Sequence, residues 1–193
     1  MKFLEYSKNI KNSIDKVSDK SLNEVLQVLY RSIIDDRIIF LIGNGGSAAN
    51  ASHLAIDLSR ISFKKNEKLF IARALSLTDN IAYITATAND RQYENIFVEQ
   101  LKNYARTHDI LIAISCSGNS KNIVKAVEYA KSNFILTIGI SGFDGGNILN
   151  MCDYNIHVNV NDFGIVESIH SAIFHYFPIG LNLIHKGKNS INY

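Results

Sequence analysis

One segment decides the fold: Phe40-Leu-Ile-Gly-Asn-Gly-Gly-Ser-Ala-Ala-Asn-Ala-Ser-His-Leu-Ala-Ile-Asp57. The apolar run that enters it, residues 38–42, has the composition of a buried strand. A glycine-rich turn, Gly43 to Ser47, follows the strand, and an alanine-rich segment of helical composition follows the turn. A strand that enters a helix through such a turn directs backbone N–H groups and the positive end of the helix at one point. The sequence therefore predicts a phosphate site at this turn.

Two side chains in the predicted helix add chemistry to this site. His53 and Asp57 are four residues apart, so they share one face of the helix beside the turn. An anion site next to an imidazole and a carboxylate indicates a reaction on a phosphorylated small molecule.

The glycine turn has other interpretations. A dinucleotide-binding fingerprint needs an acidic residue about 20 positions further on, after the second strand. The acid near that distance, Glu67, precedes the next strand-like run (69–77). No Gly-Lys-Ser/Thr follows the turn, which excludes a nucleotide-binding P-loop. A purely structural turn stays open at this point.

Composition sets further bounds. The 193 residues, 47% hydrophobic and 20% charged, fit one globular domain. The net charge is +2 and the lysines are scattered, so we expect no nucleic-acid partner. There is no signal-peptide pattern at residues 1–8 and no apolar stretch of 18 residues, so we expect no membrane segment. The two cysteines, Cys116 and Cys152, lack CxxC spacing and indicate reduced thiols and a cytoplasmic protein.

Strands and helices alternate after a helical N-terminal arm at 1–36. The expected strands cover 38–42, 69–77, 109–115, 134–141 and 154–160. One expected helix follows the first strand, and the later helices cover about 81–88, 93–106, 121–132 and 165 into the 180s. This order predicts a parallel α/β sandwich at 37–193.

Local signals refine this pattern. Ser21 and Glu24 have capping-box spacing within the arm. Thr78-Asp79-Asn80 supplies N-cap chemistry for the helix that begins near residue 81, and Asp79 is interpreted as a cap in preference to a substrate ligand. Pro178, the single proline, is expected to interrupt and kink the last helix.

A second turn carries hydroxyl groups. Ser115, Ser117 and Ser120 follow the third expected strand and open a helix, where they can donate hydrogen bonds to a phosphate. The alternative is a cluster that only caps the helix. Because ligands of parallel α/β sheets lie beyond the carboxyl ends of the strands, both turns are expected at the same edge.

Together these motifs resemble the sugar-isomerase (SIS) domain family, and within it the phosphoheptose isomerases. The resemblance extends over nearly the whole chain and includes the two turns, His53, Asn89-Asp90 and Ile169-His170 with His175. It implies a flavodoxin-like three-layer sandwich with a five-stranded parallel sheet. It also implies that Asn44, Gly45, Ser47 and Asp90 lie near the substrate, together with Ser115, Cys116, Ser117 and Ser120. Cys116 stands where the family usually has Thr.

The resemblance also implies a catalytic set. In phosphoheptose isomerases His-x-x-x-Glu and a later Gln and His surround a zinc ion in some members, with the Glu as base and the second His as acid. The matching residues here are His53, Asp57, Glu167 and His175, so a Glu has become Asp and a Gln has become Glu. Two imidazoles and two carboxylates suit zinc. Our hypothesis is that Glu167 replaces the shortened Asp57 as the base.

The implied function is aldose–ketose isomerisation of sedoheptulose 7-phosphate to D-glycero-D-manno-heptose 7-phosphate, through an enediol, for the heptose of surface polysaccharides. The implied assembly is a homotetramer with sites at subunit interfaces. The alternative is a non-catalytic SIS tetramer that binds the replication-initiator protein.

Overall fold

A computed structural model describes residues 2–187 of the chain. Its main sheet contains five parallel strands: β1 (Ile38–Ile42), β4 (Arg73–Ser76), β5 (Ile110–Ser115), β6 (Leu136–Gly142) and β7 (Tyr154–Val158). A separate antiparallel hairpin pairs β2 (Ser62–Lys65) with β3 (Lys68–Ile71). The α-helices are α1 (Phe3–Ile14), α2 (Asp19–Ile34), α3 (Gly46–Ser59), α4 (Ile81–Arg91), α5 (Val98–Tyr104), α6 (Lys121–Ser132), α7 (Gly146–Met151) and α8 (Phe163–His185).

Helices cover both faces of the sheet. In β1, Ile39 and Leu41 face a core formed with α2, α3 and α8, whereas Phe40 and Ile42 face a second core formed with α4 to α7. Strands buried on both faces are apolar throughout, which is the pattern that β1 and β5 show in the sequence. The predicted three-layer α/β sandwich with a five-stranded parallel sheet is confirmed.

Strand order positions the functional turns. The sheet runs β4-β1-β5-β6-β7, which is the 2-1-3-4-5 order of flavodoxin-like folds. In this order the sequence of strands reverses between β1 and β5, which are parallel, and ligands bind at that switch point beyond the carboxyl ends of the strands. The glycine turn follows β1 and the serine loop follows β5, so both lie at this point.

The N-terminal arm consists of α1 and α2. Val25, Leu26 and Leu29 of α2 are almost fully buried in the core shared with α8. The helix begins one turn earlier than the capping box at Ser21 and Glu24 predicted. Ser18 is its N-cap, and the Ser18 hydroxyl accepts a hydrogen bond from the Ser21 amide at 3.2 Å.

Several element boundaries differ from the prediction. The expected second strand is divided into β3 and β4, because residues 62–65, predicted as loop, pair with β3 through a turn at Asn66 and Glu67. Helix α4 extends to Arg91 and ends at Gln92, which has φ 96°. The segment expected as a helix at 93–106 is a short 3-10 turn at 93–95 followed by α5.

Two further local predictions were wrong in part. Within Thr78-Asp79-Asn80 the N-cap of α4 is Asn80, whose side chain accepts from the Tyr83 amide at 3.1 Å, while the Asp79 carboxylate accepts from the hydroxyls of Ser52 and Thr78. Pro178 lies inside α8 and does not interrupt it, since the helix continues to His185, and the kink stays a prediction.

Two observations bear on the cellular setting. Within residues 2–187, no helix combines the length and apolar character needed to cross a membrane. Cys116 and Cys152 are both buried free thiols, as the prediction of reduced cysteines requires.

Candidate active site

The glycine turn after β1 forms one wall of the site. Gly45 has φ +54°, a conformation that glycine adopts without the penalty of a side chain. This bend starts α3 at Gly46 and buries Ser47, which is 4% exposed, in the first turn of the helix. The first N–H groups of α3 therefore face the carboxyl edge of the sheet.

The serine loop after β5 forms the opposite wall. The Cys116 thiol lies 3.7 Å from the Ser47 hydroxyl, which joins the two turns directly. Ser120 is the N-cap of α6, yet its side chain makes no capping hydrogen bond and lies 3.4 Å from the Ser115 hydroxyl. The hydroxyls are thus available for a ligand at the start of a second helix.

Together the two turns enclose a cavity of about 130 Å³, which we call the cradle. It is lined by Asn44, Ser47, Ile114, Ser115, Cys116, Ser117, Ser120, Phe163 and Glu167. The predicted meeting of the glycine turn and the serine loop at one edge is therefore present in the fold. The lining carries hydroxyl, amide and carboxyl groups and no lysine or arginine.

A second cavity of about 480 Å³ adjoins the cradle through Asn44 and Ser120. Asn44 and Asn122 exchange a pair of amide hydrogen bonds of 2.9 and 2.8 Å. The Tyr93 hydroxyl donates to Asn44 Oδ1 at 3.0 Å, and Gln92, with its strained φ of 96°, precedes Tyr93. No periodic or motif signal marks Tyr93 or Asn122 in the sequence, because both act through Asn44.

Three predicted metal ligands lie together on the parallel helices α3 and α8. Asp57 Oδ2 is 3.4 Å from His53 Nε2 and 3.7 Å from His175 Nδ1. The two imidazole rings are 4.6 Å apart and nearly perpendicular. One donor atom from each residue lies within 4.8 Å of the others, and we call this set the triad.

The triad is open to solvent on one side. The side chains of His53 and His175 are 45% and 59% exposed, whereas that of Asp57 is 21% exposed. Three protein ligands with an open position are the arrangement of catalytic zinc sites. The residues therefore fit a zinc ion and leave room for a substrate oxygen beside it.

Glu167 does not join the triad. Its carboxylate lies against Gly46 at the cradle, and the Asn50 amide donates to its backbone oxygen at 3.3 Å. Along α8 the eight residues from Glu167 to His175 span about 12 Å. Of the four residues matched to the zinc set, the structure brings three together. The carboxylate of the fourth, Glu167, lies at the other end of the site.

Asp90 also lies apart from the cradle. It accepts a hydrogen bond from the Asn89 side chain at 2.8 Å and lines a separate cavity of about 220 Å³ with Arg91 and Glu99. Within one chain, Asp90 is not among the described residues that line the cradle or the cavity adjoining it.

Burial determines the protonation of the groups around the site. Desolvation raises the pKa of the Cys116 thiol, and the nearby charge of Glu167 raises it further, so the thiol stays protonated at neutral pH. Burial lowers the pKa of His170 to about 4, and its Nε2 lies 3.3 Å from the Ser141 carbonyl oxygen. His170 is therefore a neutral structural group beside the end of β6.

Comparison with known proteins agrees with this architecture. Residues 2–142, which include both turns and four of the five strands of the main sheet, match the SIS domain. The chain belongs to the SIS domain family.

Within this family the chain is similar to phosphoheptose isomerases. The phosphoheptose isomerase of Rhodospirillum rubrum is 36% identical over 71% of this chain and 71% of its own length. That of Helicobacter pylori is 33% identical over 90% of this chain and 88% of its own. The solved phosphoheptose isomerase of Neisseria gonorrhoeae superposes with a TM-score of 0.83 and 27% identity, covering 93% of this chain and 95% of that one. These relatives give no support to the alternative of a non-catalytic scaffold.

Proposed function

We propose that this protein is a phosphosugar aldose–ketose isomerase that interconverts sedoheptulose 7-phosphate and D-glycero-D-manno-heptose 7-phosphate through an enediol, supplying heptose for surface polysaccharides. The observation that carries the proposal is the placement of the cradle and the triad along the two parallel helices α3 and α8. From Ser47 to His53 the rise along α3 is about 9 Å, which is on the order of an extended seven-carbon chain.

The phosphate end of the substrate fits the cradle. The hydroxyls of Ser47, Ser115, Ser117 and Ser120 and the first N–H groups of α3 and α6 converge there. These groups donate hydrogen bonds, and the positive ends of two helix dipoles favour a dianion. We assign Asn44 and Gly45 to the same end, with Tyr93 and Asn122 holding the Asn44 amide in place.

The reacting end of the substrate fits the triad. Isomerisation removes a proton from one carbon and returns it to the next, so it needs a base and an acid close to both carbons. We assign His175, whose ring is exposed at the open side of the triad, as the acid that donates a proton to the sugar oxygen. Asp57 and Glu167 are the carboxylates of the proposed catalytic set. Our hypothesis makes Glu167 the base that takes the carbon-bound proton, and Glu167→Gln with unchanged turnover would contradict it.

We also propose that His53, Asp57 and His175 bind zinc. When bound, zinc supplies Lewis-acid polarisation of the sugar carbonyl. Metal analysis of the purified protein should find about one zinc per chain, and His53→Ala, Asp57→Asn and His175→Ala should each lower that content. Three variants that retain the full zinc content would refute this ligand set, whatever their activity.

The assembly that we propose is a homotetramer in the cytoplasm. Large apolar side chains remain exposed on the single chain, including Phe3 and Leu4 of α1, Ile81 of α4 and Ile179 of α8. Burial of these groups between subunits would remove them from water and could complete the open side of the triad. Light scattering should give four times the chain mass of 21.6 kDa. The two buried free thiols suit a reducing compartment.

The activity can be tested by incubation of the purified, metal-analysed protein with sedoheptulose 7-phosphate while NMR follows the new aldose phosphate. We expect turnover that His175→Ala abolishes. His108→Asn is a matched control, since His108 precedes β5 at the opposite edge of the sheet and Asn tolerates its φ of 71°. Thermal protection by the sugar phosphate without turnover would keep the cradle and reject the reaction.

A further inference from the structure

Glu167 carries a negative charge inside a cavity built for an anion. Its carboxylate packs directly on Gly46, so that a methyl group on Gly46 would collide with all three carboxylate atoms. The same cavity is lined by the hydroxyl-bearing residues Ser115, Ser117 and Ser120. The side chain thus reaches the first turn of α3, where an anion is stabilised by the helix dipole.

Among residues 2–187, no side chain neutralises this carboxylate. Its oxygens make no hydrogen bond and no ion pair to another described side chain, and the cradle lining contains no lysine or arginine. Lys121 lines the adjoining cavity and is not part of the cradle lining. The first turn of α3 is therefore the main favourable environment for the Glu167 carboxylate, and a substrate phosphate needs the same environment.

A phosphate in the cradle would lie close to this carboxylate. The cavity of about 130 Å³ is the space beside the carboxylate, which is part of its lining, and two negative charges a few ångströms apart in a partly buried site repel each other. A glutamine in the same place would have the same shape without the charge. The charge of Glu167 must therefore act against phosphate binding.

We propose that Glu167 is an internal competitor for the phosphate cradle, because its negative charge opposes every phosphorylated ligand that enters. This repulsion weakens the binding of each ligand that places a phosphate in the cradle. Inorganic phosphate has only the cradle to bind, whereas a sugar phosphate long enough to reach the triad gains contacts there as well. Glu167 thereby keeps the cradle from being filled by free phosphate and restricts the site to ligands that span both ends.

Gly46 makes this arrangement possible. Its missing side chain provides the space into which the carboxylate fits, and the three nearest atoms to a Cβ at this position all belong to Glu167. Asn50, one turn further along α3, holds the backbone of Glu167 by its 3.3 Å hydrogen bond. The backbone of Glu167 is thus held beside the cradle.

The inference rests on the proposed function of the cradle, and a binding experiment tests it separately from the reaction. Titration calorimetry with inorganic phosphate should compare the wild-type protein with Glu167→Gln and Glu167→Ala. We expect both variants to bind phosphate at least tenfold more tightly than the wild type. The matched control is Glu128→Gln, which removes an exposed charge from α6 and should change the affinity less than twofold.

The outcomes separate the two proposals. Phosphate affinities of Glu167→Gln and Glu167→Ala within twofold of the wild type, or weaker, would overturn the internal competitor even if sedoheptulose 7-phosphate is turned over. A tenfold gain in phosphate affinity without turnover of that sugar by the wild type would support the competitor and reject the substrate. If the wild type turns the sugar over, the kinetics of the Glu167 variants distinguish two roles of this residue. Loss of a competitor changes the inhibition constant of phosphate, whereas loss of a base lowers kcat.

Discussion

Gly118 offers a sharp test of how the serine loop is held. Its φ is +64°, and a Cβ at this position would collide with the carbonyl group of Gly145 and lie 3.0 Å from Cα of Gly146. These are backbone atoms, which cannot rotate away as a side chain would. The Ile148 amide donates to the Gly118 carbonyl at 3.1 Å, so the backbone of the serine loop is joined directly to the backbone of α7.

The cost of Gly118→Ala follows from these contacts. The left-handed conformation costs an alanine about 1 kcal/mol. Separation of the loops breaks the hydrogen bond to Ile148 and that from the Asn147 amide to the Asn119 side chain at 2.9 Å, each worth about 1 kcal/mol. The sum of about 3 kcal/mol corresponds to a fall in Tm of about 6–12 °C for a chain of this length.

The assay is thermal unfolding followed by circular dichroism, with kcat/KM for the sugar phosphate measured in parallel. Gly187→Ala is the matched control, since Gly187 has φ +62° and nothing within 4 Å of its would-be Cβ. The control should lose no more than about 1 kcal/mol, which is the conformational cost alone. A Tm of Gly118→Ala equal to that of the control would refute the idea that the backbone contact holds the loop.

Other properties of the site lead to further predictions. Ser120→Ala should raise KM for the sugar phosphate about tenfold and should lower the free energy of unfolding by less than about 1 kcal/mol, because the Ser120 side chain makes no cap hydrogen bond. Lost stability with an unchanged KM would instead favour the capping interpretation. Burial, which is the main cause, lowers the pKa of His170 to about 4, so between pH 6.5 and 4 the unfolded chain binds a proton that the folded chain does not. Stability attributable to His170 is therefore complete above pH 6.5 and should fall by about 2 kcal/mol at pH 5 in urea unfolding, a loss that His170→Gln should not show. Burial raises the pKa of Cys116 and raises that of Cys152 to about 12, so Ellman's reagent should label both thiols only after unfolding; rapid labelling of the native protein would contradict their burial.

The sequence predicted the fold and the site best where residues close together in the chain determine the structure. The glycine turn directly follows β1 and the serine loop directly follows β5, and parallel strands leave their loops at one edge. The approach of Ser47 to Cys116 follows from those two facts. Helix α6 was predicted with its observed bounds, Lys121–Ser132, because an apolar stripe at helical spacing defines it locally.

The sequence was less informative where distant segments meet. The pairing of β2 with β3 divided one expected strand, because residues 61–68 are polar enough to suggest a loop although they form a hairpin on the surface. Tyr93 and Asn122 reach Asn44 from separate helical segments, and nothing in their own neighbourhoods marks them. Such contacts depend on how the elements pack and have no local signature.

The division of the predicted zinc set has a physical cause of the same kind. His53 and Asp57 are one helical turn apart, so a single residue of α8, His175, can reach both. Glu167 lies on α8 more than two turns before His175, and α8 runs parallel to α3, so its backbone is level with the start of α3. There the long side chain meets Gly46, whose bare Cα leaves space for a carboxylate, and the dipole of α3 favours its charge. A motif predicts where a residue lies along a helix. Where a long charged side chain packs depends on the space and the electrostatics around it, and the carboxylate of Glu167 packs at the cradle.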